Sequence, residues 1–338
     1  MSVSATEHFS LSIPAGDLAK LEECLRQQVI LDDEFLDEIT THLIEAGGKR
    51  LRPSLTLAAA SLAGGPREWS AASDATLLGG VSVELVHLAS LYHDDVMDEA
   101  TRRRNVVSVN SRWGNLLAIV AGDFLLARSA EIAANLGVDV ARLLASTLGR
   151  LCQGQVAEVR ATYQLERTED DYFAAIADKT AALMSTACRI GALTASLPND
   201  QIETLTAYGE CLGMVFQIRD DVLDVIADES ELGKLPGQDL AEGIYTLPVQ
   251  HALADKSVGV ELRSLLGRPL GRDEVDEARA LVAQSNGIAA AGDAARGYAA
   301  AAVECARQLG DGPVPDALAQ LSMSLVADLD RSAEALAS

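Results

Sequence analysis

The sequence predicts an all-α fold, and three observations lead there. Alanine and leucine dominate, aromatic residues make up only 4%, and β-branched residues rarely alternate with polar ones. Apolar residues instead recur at spacings of three and four, as in Leu18, Leu21, Cys24 and Leu25. Glycine and proline gather between such stretches rather than inside them.

Taken in order, residues 1–15 read as a flexible arm. Helical periodicity then runs over 32–46, 51–63, 71–98, 115–136, 138–164, 169–196 and 199–227. Gly47-Gly48, Gly64-Gly65-Pro66, Gly137, Pro198-Asn199-Asp200, the run from Gly233 to Gly237, and the run from Gly310 to Pro315 separate these segments. The pattern contains no strand-turn-strand signature and no fixed-period repeat. No linker divides the chain, so residues 16–338 are expected to form a single all-α domain.

Composition narrows the function. The 338 residues carry 27 Lys+Arg against 50 Asp+Glu, a formal charge of −23. Such an excess excludes a general nucleic-acid binder and simple docking on anionic lipid. It also disfavours a phosphorylated substrate unless cations intervene. The five cysteines, Cys24, Cys152, Cys188, Cys211 and Cys305, are widely spaced and form no CxxC pair, which suggests neither a zinc site nor a disulfide framework. The first residues do not read as a signal peptide. The nearest candidate for a membrane span, Leu116 to Leu126, is broken by Gly122 and Asp123. A cytoplasmic location is expected.

Two acidic clusters carry the chemistry. In His93-Asp94-Asp95-Val96-Met97-Asp98, Asp94 and Asp98 lie one helical turn apart, with about 6 Å between Cβ atoms. Like charges at that spacing repel unless a cation sits between them. Asp220, Asp221 and Asp224 repeat the spacing within the apolar pattern Leu212, Val215, Phe216, Ile218, Val222, Leu223 and Val225. Buried carboxylates require partners, and hard divalent cations favour carboxylate oxygens. Two matching clusters suggest two walls of one metal-bridged anion site.

Basic residues complement them. Gly47-Gly48-Lys49-Arg50-Leu51-Arg52-Pro53 places a glycine turn before a helix whose first turn is expected to carry Lys49 and Arg52. The triplet Arg102-Arg103-Arg104 follows the first acidic cluster. Lys179-Thr180 lies on a further helix, and Lys234 sits in a glycine loop.

Together, the two DDxxD motifs, GGKRLRP and the GKxxGxD loop resemble the trans-polyprenyl diphosphate synthases over about residues 40 to 330. The resemblance implies the isoprenoid synthase fold, a helical bundle around a deep central cavity, and a homodimer. It implies that Lys49, Arg52, His87 and Arg104 hold the diphosphate of isopentenyl diphosphate. Arg103, Lys179 and Lys234 would contact the allylic diphosphate, with Thr180 and Gln217 near the developing carbocation. Asp94, Asp95, Asp98, Asp220, Asp221 and Asp224 would serve about three magnesium ions, with manganese as an alternative ion. The implied reaction joins isopentenyl diphosphate to an allylic diphosphate, giving an all-trans polyprenyl diphosphate.

Two positions depart from the family pattern. Ile244 stands where a lysine is usual, so either substrate affinity is lower or Arg219 or Arg102 compensates. Asn105 stands where glycine is usual, and asparagine tolerates positive φ better than most residues.

Product length is a packing question. Ser90, Ala89, Val86 and Ser82 precede Asp94 by four, five, eight and twelve residues, roughly one helical stripe. None is aromatic, so the expected product exceeds C20. A C15 or C20 synthase, a terpene cyclase and a non-catalytic partner subunit of a heteromeric synthase remain alternatives. The intact second Asp cluster favours elongation over both of the last two. Contact with a membrane is expected only in passing, when a long product leaves.

Overall fold

Helices account for nearly all regular structure in the computed structural model, which describes residues 5–227 and 235–337. In order they are α1 (Ala5–Ser12), α2 (Ala15–Val29), α3 (Glu34–Glu45), α4 (Leu51–Ser61) and α5 (Asp74–Met97). A two-strand hairpin follows, β1 (Arg102–Arg103) and β2 (Val106–Val107). Next come α6 (Val109–Trp113), α7 (Asn115–Leu136), α8 (Val138–Ala161) and α9 (Glu169–Ile176). A π-helical turn, Ala177–Ala181, joins α9 to α10 (Ala182–Thr194), and α11 (Asn199–Ile226) follows. The remainder comprises α12 (Gln238–Glu242), α13 (Leu247–Ala254), α14 (Gly259–Leu265), α15 (Arg272–Gln284), α16 (Gly287–Gln308) and α17 (Pro313–Ala337).

Local chemistry explains where several of these helices begin. The Asp33 carboxylate accepts from the Phe35 and Leu36 amides at the start of α3, and the Ser73 hydroxyl accepts from the Thr76 amide at the start of α5. Thr168 and Asp171 form a reciprocal capping box on α9. All the expected helical segments are present, with ends within a few residues of those expected from the sequence.

The packing of the chain gathers it into two compact units. The first comprises Met1–Leu148, Leu183–Gly209 and Ala306–Leu318. The second comprises Gly149–Ala182, Glu210–Cys305 and Ala319–Ser338. In the first, α5 is the core helix and packs against α2, α4 and α7. Its Leu85 and Leu88 are fully buried, as are Leu21, Leu25 and Leu55. The Tyr92 hydroxyl donates to the Ile39 carbonyl at 2.7 Å, tying α5 to α3. The core of the second unit gathers Tyr172, Ile218, Val222, Leu247, Leu262, Val282 and Leu329.

Three expectations change. Residues 5–12 are helical rather than a flexible arm, because Ala5, Phe9 and Ile13 recur every four residues and all three are buried. A hairpin exists after all: Arg102 pairs with Val107 and Arg103 with Val106. Its turn residues, Arg104 and Asn105, have φ of 50° and 63°. Two successive left-handed residues suit a two-residue hairpin turn, and a ladder this short leaves no alternating pattern to read. Finally, among the described residues the helix long and apolar enough to cross a membrane is Asp74–Met97, not the stretch around Leu116. Most of it is buried inside the protein, as befits a core helix. All five cysteines are unpaired.

Candidate active site

The first acidic cluster closes α5 in the first unit. Asp94 is half-buried, Asp95 is fully buried and Asp98 is exposed just past the last helical residue. Arg103 of β1 reaches back to this helix end, and its Nε and Nη2 both lie 2.7 Å from Asp95 Oδ1. Asp95 Oδ2 is buried without a hydrogen-bond partner among the described residues. Burial pushes the Asp95 carboxyl up, and the Arg103 guanidinium works against that shift.

Beside this cluster the basic residues form a layered group. The glycine turn is as expected, with Gly47 and Gly48 both at positive φ. The helix, however, starts at Leu51, so Lys49 precedes it and is exposed, while Arg52 and Pro53 occupy its first turn. Arg50 takes the left-handed conformation at φ 48°, which turns its side chain inward. It donates to Glu22 at 2.5 Å, to Glu84 at 3.0 Å and to the Ile44 carbonyl at 3.1 Å. Arg104 donates to the carbonyls of Leu43 and Gly47, and its Nη2 lies 3.9 Å from Glu84. Arg104 therefore clamps the glycine loop, and a guanidinium with five donors keeps capacity for an anion. Burial and the cations Arg52, Arg104, Arg50 and Arg103 hold His87 well below 6.5, so it is a neutral hydrogen-bonding group near pH 7.

The stripe expected to set product length is unevenly exposed. Ser82 and Ala89 have no accessible surface and Val86 is buried, whereas Ser90 is partly exposed. Ser90 offers surface to a neighbouring molecule, and Ala89 offers none without repacking of the helix.

The second acidic cluster belongs to the second unit. Lys179 and Thr180 occupy the π-helical turn, an irregularity that re-aims side chains and is frequent at functional sites. Glycines let two helices approach it. A Cβ on Gly154 of α8 would lie 2.5 Å from the Lys179 amide nitrogen, and one on Gly213 of α11 would collide with the Ala181 Cα. Lys179 pairs with Glu158 of α8. The Thr180 hydroxyl donates to Gln217 Oε1 at 2.6 Å. Gln217 Nε2 donates to Asp221 Oδ1 at 2.7 Å, and the Tyr172 hydroxyl donates to Asp221 Oδ2 at 2.6 Å.

Asp221 is thus buried with both oxygens engaged by side chains, unlike Asp220, whose side chain is 43% exposed beside Arg219. Burial pushes the Asp221 carboxyl up and the Tyr172 phenol well above 10. Asp224 is buried, and its Oδ2 accepts from the Asp239 amide at 3.1 Å. Arg219 bridges Asp220 and Asp328, and Arg102 donates to the Asn105 carbonyl. Neither expected substitute for the missing lysine is without a local partner. Lys234 lies outside the described residues.

Sequence reasoning missed Tyr172, Glu158, Glu84 and Arg50. Each acts through a residue distant in sequence, and only the Thr168–Asp171 capping box just before Tyr172 gave any local signal.

Divalent cations fit these residues in donor chemistry. The available oxygens are carboxylates, and Asp95 Oδ2 is an orphaned acceptor. Among the described residues no three acidic, histidine or cysteine side chains converge as a complete cage. Magnesium seldom uses one, since it keeps waters and shares carboxylates with substrate phosphates.

Known proteins resemble the chain over its length. Nonaprenyl diphosphate synthase from Mycobacterium tuberculosis is 40% identical over 315 residues, covering 93% of this chain and 92% of that one. A decaprenyl diphosphate synthase from Rhodobacter capsulatus superposes with a TM-score of 0.87 at 33% identity, covering 96% of this chain and 99% of that one. A polyprenyl synthase from Caulobacter crescentus, solved with calcium and isoprenyl diphosphate, gives a TM-score of 0.88 at 31% identity, covering 97% and 98%. These neighbours share the all-α isoprenoid synthase fold. The polyprenyl synthetase family model matches residues 33–283, and on that match the chain belongs to the polyprenyl synthetase family.

Proposed function

We propose that the chain elongates an allylic diphosphate with isopentenyl diphosphate, giving an all-trans polyprenyl diphosphate longer than C20. The observation that carries the elongation chemistry is the presence of both aspartate clusters together with the basic set around Arg103 and Lys179. The nonaprenyl and decaprenyl names of the relatives and the small, partly exposed Ser90 support a long product.

Asp94, Asp95, Asp98, Asp220 and Asp224 would hold divalent cations, magnesium being the expected ion. Bound cations supply charge neutralisation to the diphosphate leaving group. Arg103 and Lys179 bind the allylic diphosphate, with Lys234 in the role implied by resemblance. Lys49, Arg52, Arg104 and neutral His87 bind the diphosphate of isopentenyl diphosphate. In the reaction the allylic C–O bond breaks and diphosphate leaves with the electron pair. The double bond of isopentenyl diphosphate attacks the resulting cation and forms the new C–C bond. A proton then leaves to the released diphosphate, restoring an allylic double bond. The Thr180 and Gln217 oxygens present negative dipole ends to the transient cation.

The apolar side chains of Leu116, Ile119 and Val120 on α7 are 75%, 42% and 44% exposed at helical spacing, which supports a homodimer. The proposed location is cytoplasmic.

The test is product sizing. Purified chain, farnesyl diphosphate, magnesium and labelled isopentenyl diphosphate should give products beyond C20, and chelation should stop the reaction. A sole C15 or C20 product overturns the length assignment. No consumption by the chain alone overturns the proposal in favour of a non-catalytic partner subunit of a heteromeric synthase.

A further inference from the structure

Within the second aspartate motif, Asp220 and Asp221 are adjacent in sequence but differ physically. Asp220 is half-exposed, whereas Asp221 is 4% exposed, with one oxygen held by Tyr172 and the other by Gln217. Tyr172 is itself fixed. It is 1% exposed, packs edge-on against Phe173 with ring centroids 5.4 Å apart, and lies under the Arg167 guanidinium at 5.5 Å. It follows directly on the Thr168–Asp171 capping box, which sets its place on α9.

The polarity of the chain of hydrogen bonds has a consequence. A carboxamide can present either its NH2 or its carbonyl oxygen to a neighbour. Facing the ionised Asp221 carboxylate, which the Tyr172 phenol favours by donating to Oδ2, only the NH2 is favourable, since the carbonyl oxygen would meet another acceptor at hydrogen-bond distance. The Gln217 carbonyl must then face Thr180, whose hydroxyl donates to it at 2.6 Å. An sp² oxygen has two lone pairs, so Thr180 takes one and leaves the other for the reacting centre.

We propose that Tyr172 is a positioning residue: through Asp221 it fixes which end of the Gln217 carboxamide is presented at Thr180, and Asp221 serves this relay rather than ligating metal. The inference deepens the proposed prenyl-transfer chemistry and rests on it for the role of the Gln217 oxygen. The assignment of Asp221 away from metal rests on the hydrogen bonds alone.

The experiment uses the full chain and the variants Tyr172→Phe, Asp221→Asn, the double variant and, for comparison, Asp220→Asn. Two readouts are taken: kcat and KM for both substrates, and calorimetric binding of inorganic pyrophosphate with magnesium. Tyr172→Phe and Asp221→Asn should each lower kcat by roughly tenfold to a hundredfold, the usual effect of losing an outer-shell partner. Their KM values and magnesium half-saturation should match the parent's, because in this proposal neither side chain touches metal or diphosphate. The double variant should be no slower than Asp221→Asn, because the phenol acts only through the carboxylate. Asp220→Asn should weaken magnesium-dependent pyrophosphate binding, and Asp221→Asn should not.

Equal loss of that binding in the two Asp variants overturns the proposal, as does an unchanged kcat in Tyr172→Phe. If Asp221→Asn fails to fold, Tyr172→Phe, which removes a single oxygen, decides the matter by the same kcat criterion. A parent chain that consumes no isopentenyl diphosphate defeats the proposed function instead. In that event the binding comparison still decides whether Asp221 is a ligand, with Tyr172→Phe as the control if Asp221→Asn does not fold: a tenfold loss of magnesium-dependent binding there makes Asp221 part of the ion site.

Discussion

Substituting Gly154 with alanine tests whether the π-helical turn is held where the proposed catalysis needs it. Gly154 lies on α8, and an alanine Cβ there would come 2.5 Å from the Lys179 amide nitrogen and 2.9 Å from its Cα. Ordinary contacts begin near 3.4 Å, so the backbone carrying Lys179 and Thr180 must retreat by about 0.9 Å, with little slack in a close-packed interior. Overpacking of this kind costs about 1–3 kcal/mol, and alanine's better helix propensity returns about 1 kcal/mol of it. The net loss is about 0–2 kcal/mol, at most a drop of a few °C in Tm for a chain of this size.

The kinetic effect should be larger than the stability effect. A displacement near 1 Å at a catalytic group costs on the order of a hundredfold in rate. Gly149, on the same helix, has nothing within 4 Å of its added Cβ. Gly149→Ala should therefore keep its rate and gain about 0.5–1 kcal/mol in stability. The assay is initial-rate incorporation of labelled isopentenyl diphosphate, beside thermal melts followed by circular dichroism. Parent-like kcat in Gly154→Ala, or equal damage in Gly149→Ala, refutes the reasoning.

Two further predictions concern the first unit. Ser90→Phe should shorten the product with turnover retained, while Ala89→Phe, at a position without accessible surface, should lower Tm through overpacking of about 1–3 kcal/mol; product sizing and melts read the two together. The depressed His87 titration predicts a pH effect. Between the folded value and 6.5 the unfolded chain binds the extra proton, so stability is lost as pH falls below 6.5. The Tm of His87→Gln should accordingly fall less than that of the parent between pH 7 and pH 5, and parallel curves would remove His87 as the cause.

Much of the site was legible before any fold was known, because its chemistry is local. The i, i+4 spacing of Asp94 with Asp98 and of Asp220 with Asp224 is a property of one helix. The tolerance of Asn105 for a left-handed turn is a property of one residue, and it appears in the structure at φ 63°. The periodicity of α2 through α11 is likewise a matter of which residues share a face. The hairpin was not legible because two-residue strands carry no alternation. Residues 5–12 were missed because one apolar stripe of three residues is too short to stand out.

The tertiary structure decided what depends on elements meeting. Sequence alone makes Asp220 and Asp221 equivalent; the approach of α9 to α11 in the second unit gives Asp221 a tyrosine and leaves Asp220 half-exposed. Sequence alone makes Arg50 one more basic residue near a glycine turn. The left-handed backbone and the buried Glu84 carboxylate turn it into an internal strut. The same holds for the stripe of Ser82, Val86, Ala89 and Ser90, where packing encloses Ala89 and leaves Ser90 accessible. Residue type and spacing determined which groups could do the chemistry, since ionisation and helical phase are short-range properties. Burial and long-range hydrogen bonding determined which of them are enclosed and which remain accessible, because desolvation depends on every element packed around a group.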